Sequence, residues 1–282
     1  MNLLLNGKPV EIITYPNNET LLRPDMSDVK ADATQVITLR FESDADIFHL
    51  RVLSEYIRDY FQDEFKIYFV HMQLILPYMP YSRADRSENG SIFTLKYVCQ
   101  MFNAMGFREI IIVEPHSSVT KEKLFTAGKI INGAELLLPL VKKDVNFDET
   151  IDYLIFPDAG ASERYASLSP HNLSLSAAKT RDFNTGKITD IKFNRIIDGT
   201  DRRAIIVDDL CSKGGTFIAT ANLLRNMGFS HVYLMVTHLE KAAYNKALTS
   251  SLDGIYATDS MMPPEPNSNM TIYKLKDLLS NV

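Results

Sequence analysis

An α/β chain of two similar domains, each a mainly parallel sheet flanked by helices, is the fold class that three observations predict. First, the apolar run Ile205-Ile206-Val207 meets two carboxylates, Asp208 and Asp209, and then a small-residue turn feeding a helix near Phe217. That order reads as a buried parallel strand, a turn and a crossover helix. Second, Ala104-Met105-Gly106-Phe107 precedes the strand-like Ile110–Val113 and His116, and Asn226-Met227-Gly228-Phe229 precedes Val232–Val236 and His238. Helix, Met-Gly-Phe, strand and histidine recur in one order, as two related domains would give. Third, 282 residues with 45% hydrophobic and 23% charged side chains suffice for two cores.

Taken in order, Leu3–Leu5 and Val10–Thr14 read as a hairpin turning at Asn6-Gly7, a strong local turn signal. Val36–Leu39 is a short strand. A helix follows Asp44 and Asp46, with Leu50, Leu53, Ile57 and Tyr60 three or four residues apart. Met72–Leu76 is the next buried strand, delivering the segment Pro77–Arg86, and a helix over 93–105 closes at Gly106. A strand within Thr150–Phe156 opens the second domain and runs into Pro157-Asp158-Ala159-Gly160, so the domains are expected to span 1–148 and 149–282. Leu173–Leu175 leads to Lys179 and Arg181, and the polar stretch 182–189 reads as a mobile loop. Met262–Pro266 is too proline-rich for helix interior, and Ile272–Leu279 suits a last strand and helical turn.

Composition excludes several classes. A net charge of −5 offers no basic footprint for nucleic acid. Two cysteines, Cys99 and Cys211, are too few for a disulfide framework, so a reducing cytoplasm is the expected location. No apolar stretch is long enough for a bilayer, so no membrane partner is expected.

Chemistry concentrates at residues 205–216. Glycines let the backbone approach closely, so the amides of Ser212, Lys213, Gly214, Gly215 and Thr216 can face a phosphate at the positive end of the new helix. Asp208 and Asp209, repelled by that phosphate, suit the neighbouring sugar hydroxyls or magnesium. The stretch reads as a ribose-phosphate site, or as an ordinary connection whose acids cap the helix. Lys179 and Arg181 equally suit a solvated loop, Tyr15 can pack under its hairpin, and His116 can end its strand as any polar residue does. His238 reads as an ordinary strand terminator. Cys211 has no local base and reads as packing.

Six segments in register decide more than any one. Tyr15, Asn17 and Glu19 match a Phe-x-Asn-x-Glu pattern; Tyr81, Arg83 and Asp85 match Tyr-x-Arg-x-Asp; Glu114-Pro115-His116 stands for Asp-Leu-His. Pro157–Gly160 is Pro-Asp-Ala-Gly, Lys179 and Arg181 form Lys-x-Arg, and Asp208-Asp209 opens the phosphate loop. In this, nearly the whole chain resembles the phosphoribosyl pyrophosphate (PRPP) synthetases, also called ribose-phosphate pyrophosphokinases. The resemblance implies two domains of the type I phosphoribosyltransferase kind and a transfer of diphosphate from ATP to a ribose C1 hydroxyl, releasing AMP. It implies that Lys179 and Arg181, on a closing loop, stabilise the migrating group, with His116 near the ATP phosphates. Magnesium falls to Glu114, His116 and Asp158, the nucleotide to Arg83, Asp85 and His116, and the ribose phosphate to Asp158, Asp208, Asp209, Ser212, Lys213, Gly214, Gly215 and Thr216. Tyr15, Asn17 and Glu19 would line the adenine pocket, in this family reaching into a neighbouring subunit's site. A homo-oligomer is therefore expected, built from dimers and extending to a hexamer.

The chain departs from the family's pattern mainly on the acceptor side. Ser212-Lys213 replaces an acid followed by Thr or Ser; Ala84, Glu114 and Glu163-Arg164 replace Gln, Asp and Lys-Arg. A changed acceptor pocket beside retained transfer cations slightly favours ADP-ribose as acceptor, giving ADP-ribose pyrophosphate for rebuilding NAD. The alternative is ribose 5-phosphate, giving PRPP for nucleotide synthesis. A non-catalytic regulatory relative is a third reading, opposed by retention of Lys179, Arg181, His116 and Asp158.

Overall fold

The computed structural model describes residues 2–125, 128–168, 173–181, 188–261 and 269–280. The chain divides into two compact units, Met1–Ile131 and Asn132–Val282.

In the first unit, β1 (Leu3–Leu5) and β2 (Lys8–Pro9) form the hairpin at Asn6-Gly7, and both turn residues take positive φ. The expected return strand is shorter than read: Glu11–Thr14 (β3) leaves it and pairs with β4 (Thr20–Arg23) in a separate two-stranded ribbon. Then come β5 (Gln35–Leu39), α1 (Ala45–Tyr60), β6 (Met72–Leu76), α2 (Thr94–Ala104), β7 (Glu109–Val113), α3 (Val119–Lys123) and β8 (Lys129–Ile131). The sheet order is β2-β1-β5-β6-β7-β8, with β5 to β8 mutually parallel. Leu50, Leu53 and Ile57 of the predicted stripe are buried in one core with Ile47, Leu74 and Ile110, and Tyr60 packs against it partly buried. Asp46 secures the entry to α1 by accepting from the Glu42 and Ser43 amides, 2.8 Å each.

In the second unit, α4 (Gly133–Asp144) precedes β9 (Tyr153–Phe156), α5 (Ala159–Arg164), β10 (Ser174–Arg181), β11 (Ile188–Phe193), β12 (Arg203–Cys211) and α6 (Gly215–Asn226). It continues through β13 (His231–Leu239), α7 (Lys246–Ser251), β14 (Gly254–Thr258), β15 (Met270–Tyr273) and α8 (Leu275–Leu279). The sheet order is β11-β10-β9-β12-β13-β14-β15, parallel except for β11. The chain moves outward from β9 to β10, then crosses back to place β12 on the other side of β9. That reversal is where an open α/β sheet leaves a crevice beyond its strand ends.

The division falls earlier than the sequence reading of 148/149, because α4 packs with the second unit. Ala134, Leu137, Leu138 and Val141 share a buried cluster with Leu154, Ile205, Val207 and Met235. The repeated Met-Gly-Phe closes α2 and α6, with Gly106 and Gly228 at φ 66° and 93°, the left-handed turn that suits glycine. Lys179 and Arg181 lie on β10, which pairs antiparallel with β11 across a bulge at Thr180/Arg181; the loop reading there is corrected to strand. The remainder of that stretch, 182–187, lies outside the described residues, as do residues 262–268. Among the described residues no helix is long and apolar enough to cross a membrane.

Candidate functional site

Each unit gathers chemistry at the carboxyl ends of its parallel strands. In the first unit, β6 delivers Pro77–Arg86. Tyr81 takes φ 59°, an uncommon conformation for a bulky residue, and its hydroxyl donates to Asp44. The Ala84 amide bonds the Tyr81 carbonyl at 2.8 Å and the Leu95 amide bonds the Ala84 carbonyl at 3.2 Å, tying the segment to the start of α2. Asp85 is buried, with the Arg86 Nε 3.0 Å from its Oδ1. Burial opposes its charge, but Ser117, Arg86 and the nearby His116 hold its carboxyl below the usual range. Glu114 is buried at φ 45° just past β7, its amide bonded to the Ile131 carbonyl at 2.9 Å. Two non-glycine residues with left-handed backbone at two adjacent strand ends mark strain of the kind that clusters at working sites. Arg83 is exposed.

Tyr15, Asn17 and Glu19 occupy the tip of the β3–β4 ribbon, all exposed. The Tyr15 amide bonds the Glu19 carbonyl at 2.8 Å, and the Asn17 side chain accepts from the Glu19 amide at 3.2 Å. The tip is ordered by its own hydrogen bonds and stands off the six-stranded sheet.

In the second unit, Asp158 follows β9 and caps α5, accepting from the Ala161 amide at 2.9 Å. β12 runs further than the sequence suggests, through Asp208 and Asp209 to Cys211, so the acids stand within its last turns of pleat. Burial, then the neighbouring Asp209 and the charge of Asp158, push the Asp208 carboxyl well above the usual carboxylate range. Asp209 is buried and meets Arg164, whose guanidinium lies 2.7 Å from it. Burial opposes the Arg164 charge, but Asp209 and Tyr165 hold its pKa above the usual guanidinium value. Arg164 carries no assignment in the sequence reading. Its spacing from Pro157-Asp158 puts it one helical turn and a half beyond the cap, which was the available signal.

The turn after β12 is shaped by two adjacent glycines. Gly214 takes φ 81°, and a Cβ there would lie 2.6 Å from the Leu248 side chain, so only glycine fits. Gly215 starts α6, and a Cβ there would meet nothing within 4 Å. The Lys213 carbonyl accepts from Asn245, the cap of α7, at 3.2 Å, leaving the Lys213 side chain exposed. Cys211 is buried beside Asp208 and its thiol is pushed up to about 12, which suits packing and not nucleophilic attack. His238, by contrast with His116, is buried within β13, its Nδ1 2.8 Å from the Ser260 Oγ.

No group of three or more His, Cys, Asp or Glu among the described residues is placed to hold a metal ion.

Comparison with known proteins shows what the chain is similar to. Residues 167–279 match the phosphoribosyl synthetase-associated domain. The ribose-phosphate pyrophosphokinase of Sulfurisphaera tokodaii is 27% identical over 268 residues, covering 93% of this chain and 87% of the relative. That of Thermococcus kodakarensis is 27% identical over 270 residues, covering 93% and 89%. Over nearly its whole length the chain is similar to the PRPP synthetase family. The crystal structure of phosphoribosylpyrophosphate synthetase from Mycobacterium smegmatis shares the fold, with a TM-score of 0.75 at 18% identity, over 97% of this chain and 88% of that one. By this similarity the chain is a diphosphotransferase of the ribose-phosphate pyrophosphokinase type.

Proposed function

We propose that this PRPP synthetase relative transfers the β,γ-diphosphate of ATP to the anomeric hydroxyl of ribose 5-phosphate, forming PRPP and AMP. The observation that carries the acceptor half is the second unit's strand end. Paired acids, a phosphate turn with open space beside Gly215, and the α6 N-terminus stand in the order that a ribose 5-phosphate presents hydroxyls and phosphate. The relatives' names, all of them ribose-phosphate pyrophosphokinase, support the same acceptor.

In this reading the amides of residues 212–216 hold the 5-phosphate, and Asp208 and Asp209 accept from the ribose hydroxyls. Arg164, 2.7 Å away, holds Asp209 in place. Lys179 and Arg181 meet the charge that develops on the migrating diphosphate, an interaction worth most in the transition state. Arg83, Asp85 and His116 hold the nucleotide, with Tyr15, Asn17 and Glu19 at its base. Magnesium neutralises the diphosphate oxygens; His116, Asp158 and Glu114 are the residues to hold it. The protein would assemble as a homo-oligomer and work in the cytoplasm.

ATP labelled at both the β and γ phosphorus tests the reaction. Both labels should move to the sugar while AMP is released; release of ADP would overturn diphosphate transfer.

A second reading, ADP-ribose as acceptor, is favoured by one observation: the Lys213 side chain is exposed from a loop that ordinarily ends at a monoester. There it could meet a second phosphate. Lys213→Thr would then shift preference toward ribose 5-phosphate, and an unchanged ratio of the two kcat/KM values would remove this loop from acceptor selection.

A further inference from the structure

The turn between β12 and α6 is braced from one side by a distant stretch of chain. Past β13 the backbone runs beside the end of β12 and meets it at three successive points. The Glu240 amide bonds the Cys211 carbonyl at 2.9 Å. The Asn245 Nδ2 donates to the Lys213 carbonyl at 3.2 Å. The buried Leu248 side chain lies against Gly214, so close that a Cβ on that glycine would come within 2.6 Å of it. Gly214 is accordingly buried, whereas Gly215, the next residue, is exposed, with nothing within 4 Å of where its Cβ would stand. The turn has one face packed on α7 and one face open.

Asn245 is the residue type that this junction needs. Its Oδ1 accepts from the Leu248 amide at 3.0 Å, which caps α7. Because a backbone N–H can only donate, that bond also fixes which way the side-chain amide faces. Nδ2 is left with two hydrogens, one for the Ala242 carbonyl at 3.0 Å and one for the Lys213 carbonyl. The peptide joining Lys213 to Gly214 is trans and planar, so its C=O and its N–H point in opposite directions. With the carbonyl held by Asn245, the Gly214 N–H faces away from α7. Two glycines in succession do little to hold that peptide plane themselves, since a residue without Cβ visits many backbone conformations. The plane is set from outside the turn.

We propose that Asn245 is a positioning residue for the acceptor's phosphate. By holding the Lys213 carbonyl it keeps the Gly214 N–H turned to the open face of the loop, where it donates to the 5-phosphate. Asn245 acts through the Lys213–Gly214 peptide and not on the substrate. This rests on the reading that residues 212–216 hold that phosphate, and adds to it the element that keeps their amides aimed.

Steady-state kinetics of Asn245→Ser and Asn245→Ala with magnesium, ATP and ribose 5-phosphate, beside thermal melts, tests the proposal. Serine still caps a helix, but its hydroxyl stands one bond nearer the backbone than Nδ2 and falls short of the Lys213 carbonyl. Asn245→Ser should raise the KM for ribose 5-phosphate roughly three- to tenfold, the range of one neutral hydrogen bond, with kcat and the KM for ATP within about twofold of wild type. Its melting temperature should stay close to that of the wild type. Asn245→Ala, which removes the cap as well, should show the same rise in KM together with a lower melting temperature. A rise in Asn245→Ala that is absent from Asn245→Ser follows the stability of α7 and overturns the proposal. Equal losses for ribose 5-phosphate and ATP also overturn it. Gly215→Ala separates its failure from that of the underlying reading. If Gly215→Ala raises the acceptor KM and Asn245→Ser does not, Asn245 has no positioning role; if neither does, the phosphate lies elsewhere and the reading falls, taking the proposal with it.

Discussion

The Arg164 guanidinium stands 2.7 Å from Oδ1 of Asp209 and 4.0 Å from Oδ1 of Asp208, so one cation at the end of α5 serves both acids at the end of β12. The Arg164 guanidinium faces both carboxyls, and Asp158 adds a further negative charge near Asp208. Truncating the cation removes the Arg164 charge from beside Asp209. Arg164→Met should destabilise the protein by about 2–3 kcal/mol, discounted from the fully buried case because the side chain keeps some exposure. Urea unfolding measures it, and an unchanged midpoint would show the pair to be dispensable.

Asp208 carries a stability cost that function explains. Its carboxyl is raised in the folded state, so folding favours the protonated form. The stabilising contribution is full below the ordinary carboxylate range and is lost as pH rises through it toward the raised value. Asp208→Asn, neutral at every pH, should melt higher than wild type near neutrality, with the gap closing toward about pH 4. The same variant should lose acceptor affinity. Melting curves across pH without ligand decide this; superimposable curves would contradict the assignment of the shift.

The two loop glycines should behave oppositely. Gly214→Ala meets both the φ of 81° and the Leu248 side chain at 2.6 Å, and should cost about 2 kcal/mol or more. Gly215→Ala adds a methyl to open space, so stability should hold while the acceptor KM rises at least several-fold. Thermal melts and acceptor titrations separate these effects. An unaltered KM in Gly215→Ala would place the phosphate elsewhere.

Lys179→Ala should lower kcat roughly a hundredfold or more, with the ATP dissociation constant within about threefold of wild type. Single-turnover kinetics and direct ATP binding give the two numbers. Normal turnover would remove Lys179 from the chemistry.

What was legible in the sequence was set by periodicity and local turn chemistry. Leu50, Leu53 and Ile57 announced α1, and the alternation of Met72–Leu76 and the run Ile205–Val207 announced buried strands. The Asp208-Asp209 turn was legible because its acids and glycines are sequential neighbours. Long-range packing was less so. Nothing local distinguishes α4 as a helix of the second unit, since only its contacts with Leu154 and Met235 decide that. Lys179 and Arg181 read as loop because polar residues surround them, and the β10–β11 pairing that makes them strand is a tertiary event. Arg164 was passed over because its partner, Asp209, lies 45 residues away in sequence (209 − 164).

The most direct test is to incubate the purified protein with magnesium, ATP and equal ribose 5-phosphate and ADP-ribose, and to identify AMP and the phosphorylated product by mass. Equal amounts of AMP and PRPP are expected. ADP-ribose pyrophosphate in place of PRPP would transfer the acceptor assignment to the second reading, and absence of AMP with both acceptors would contradict diphosphate transfer itself.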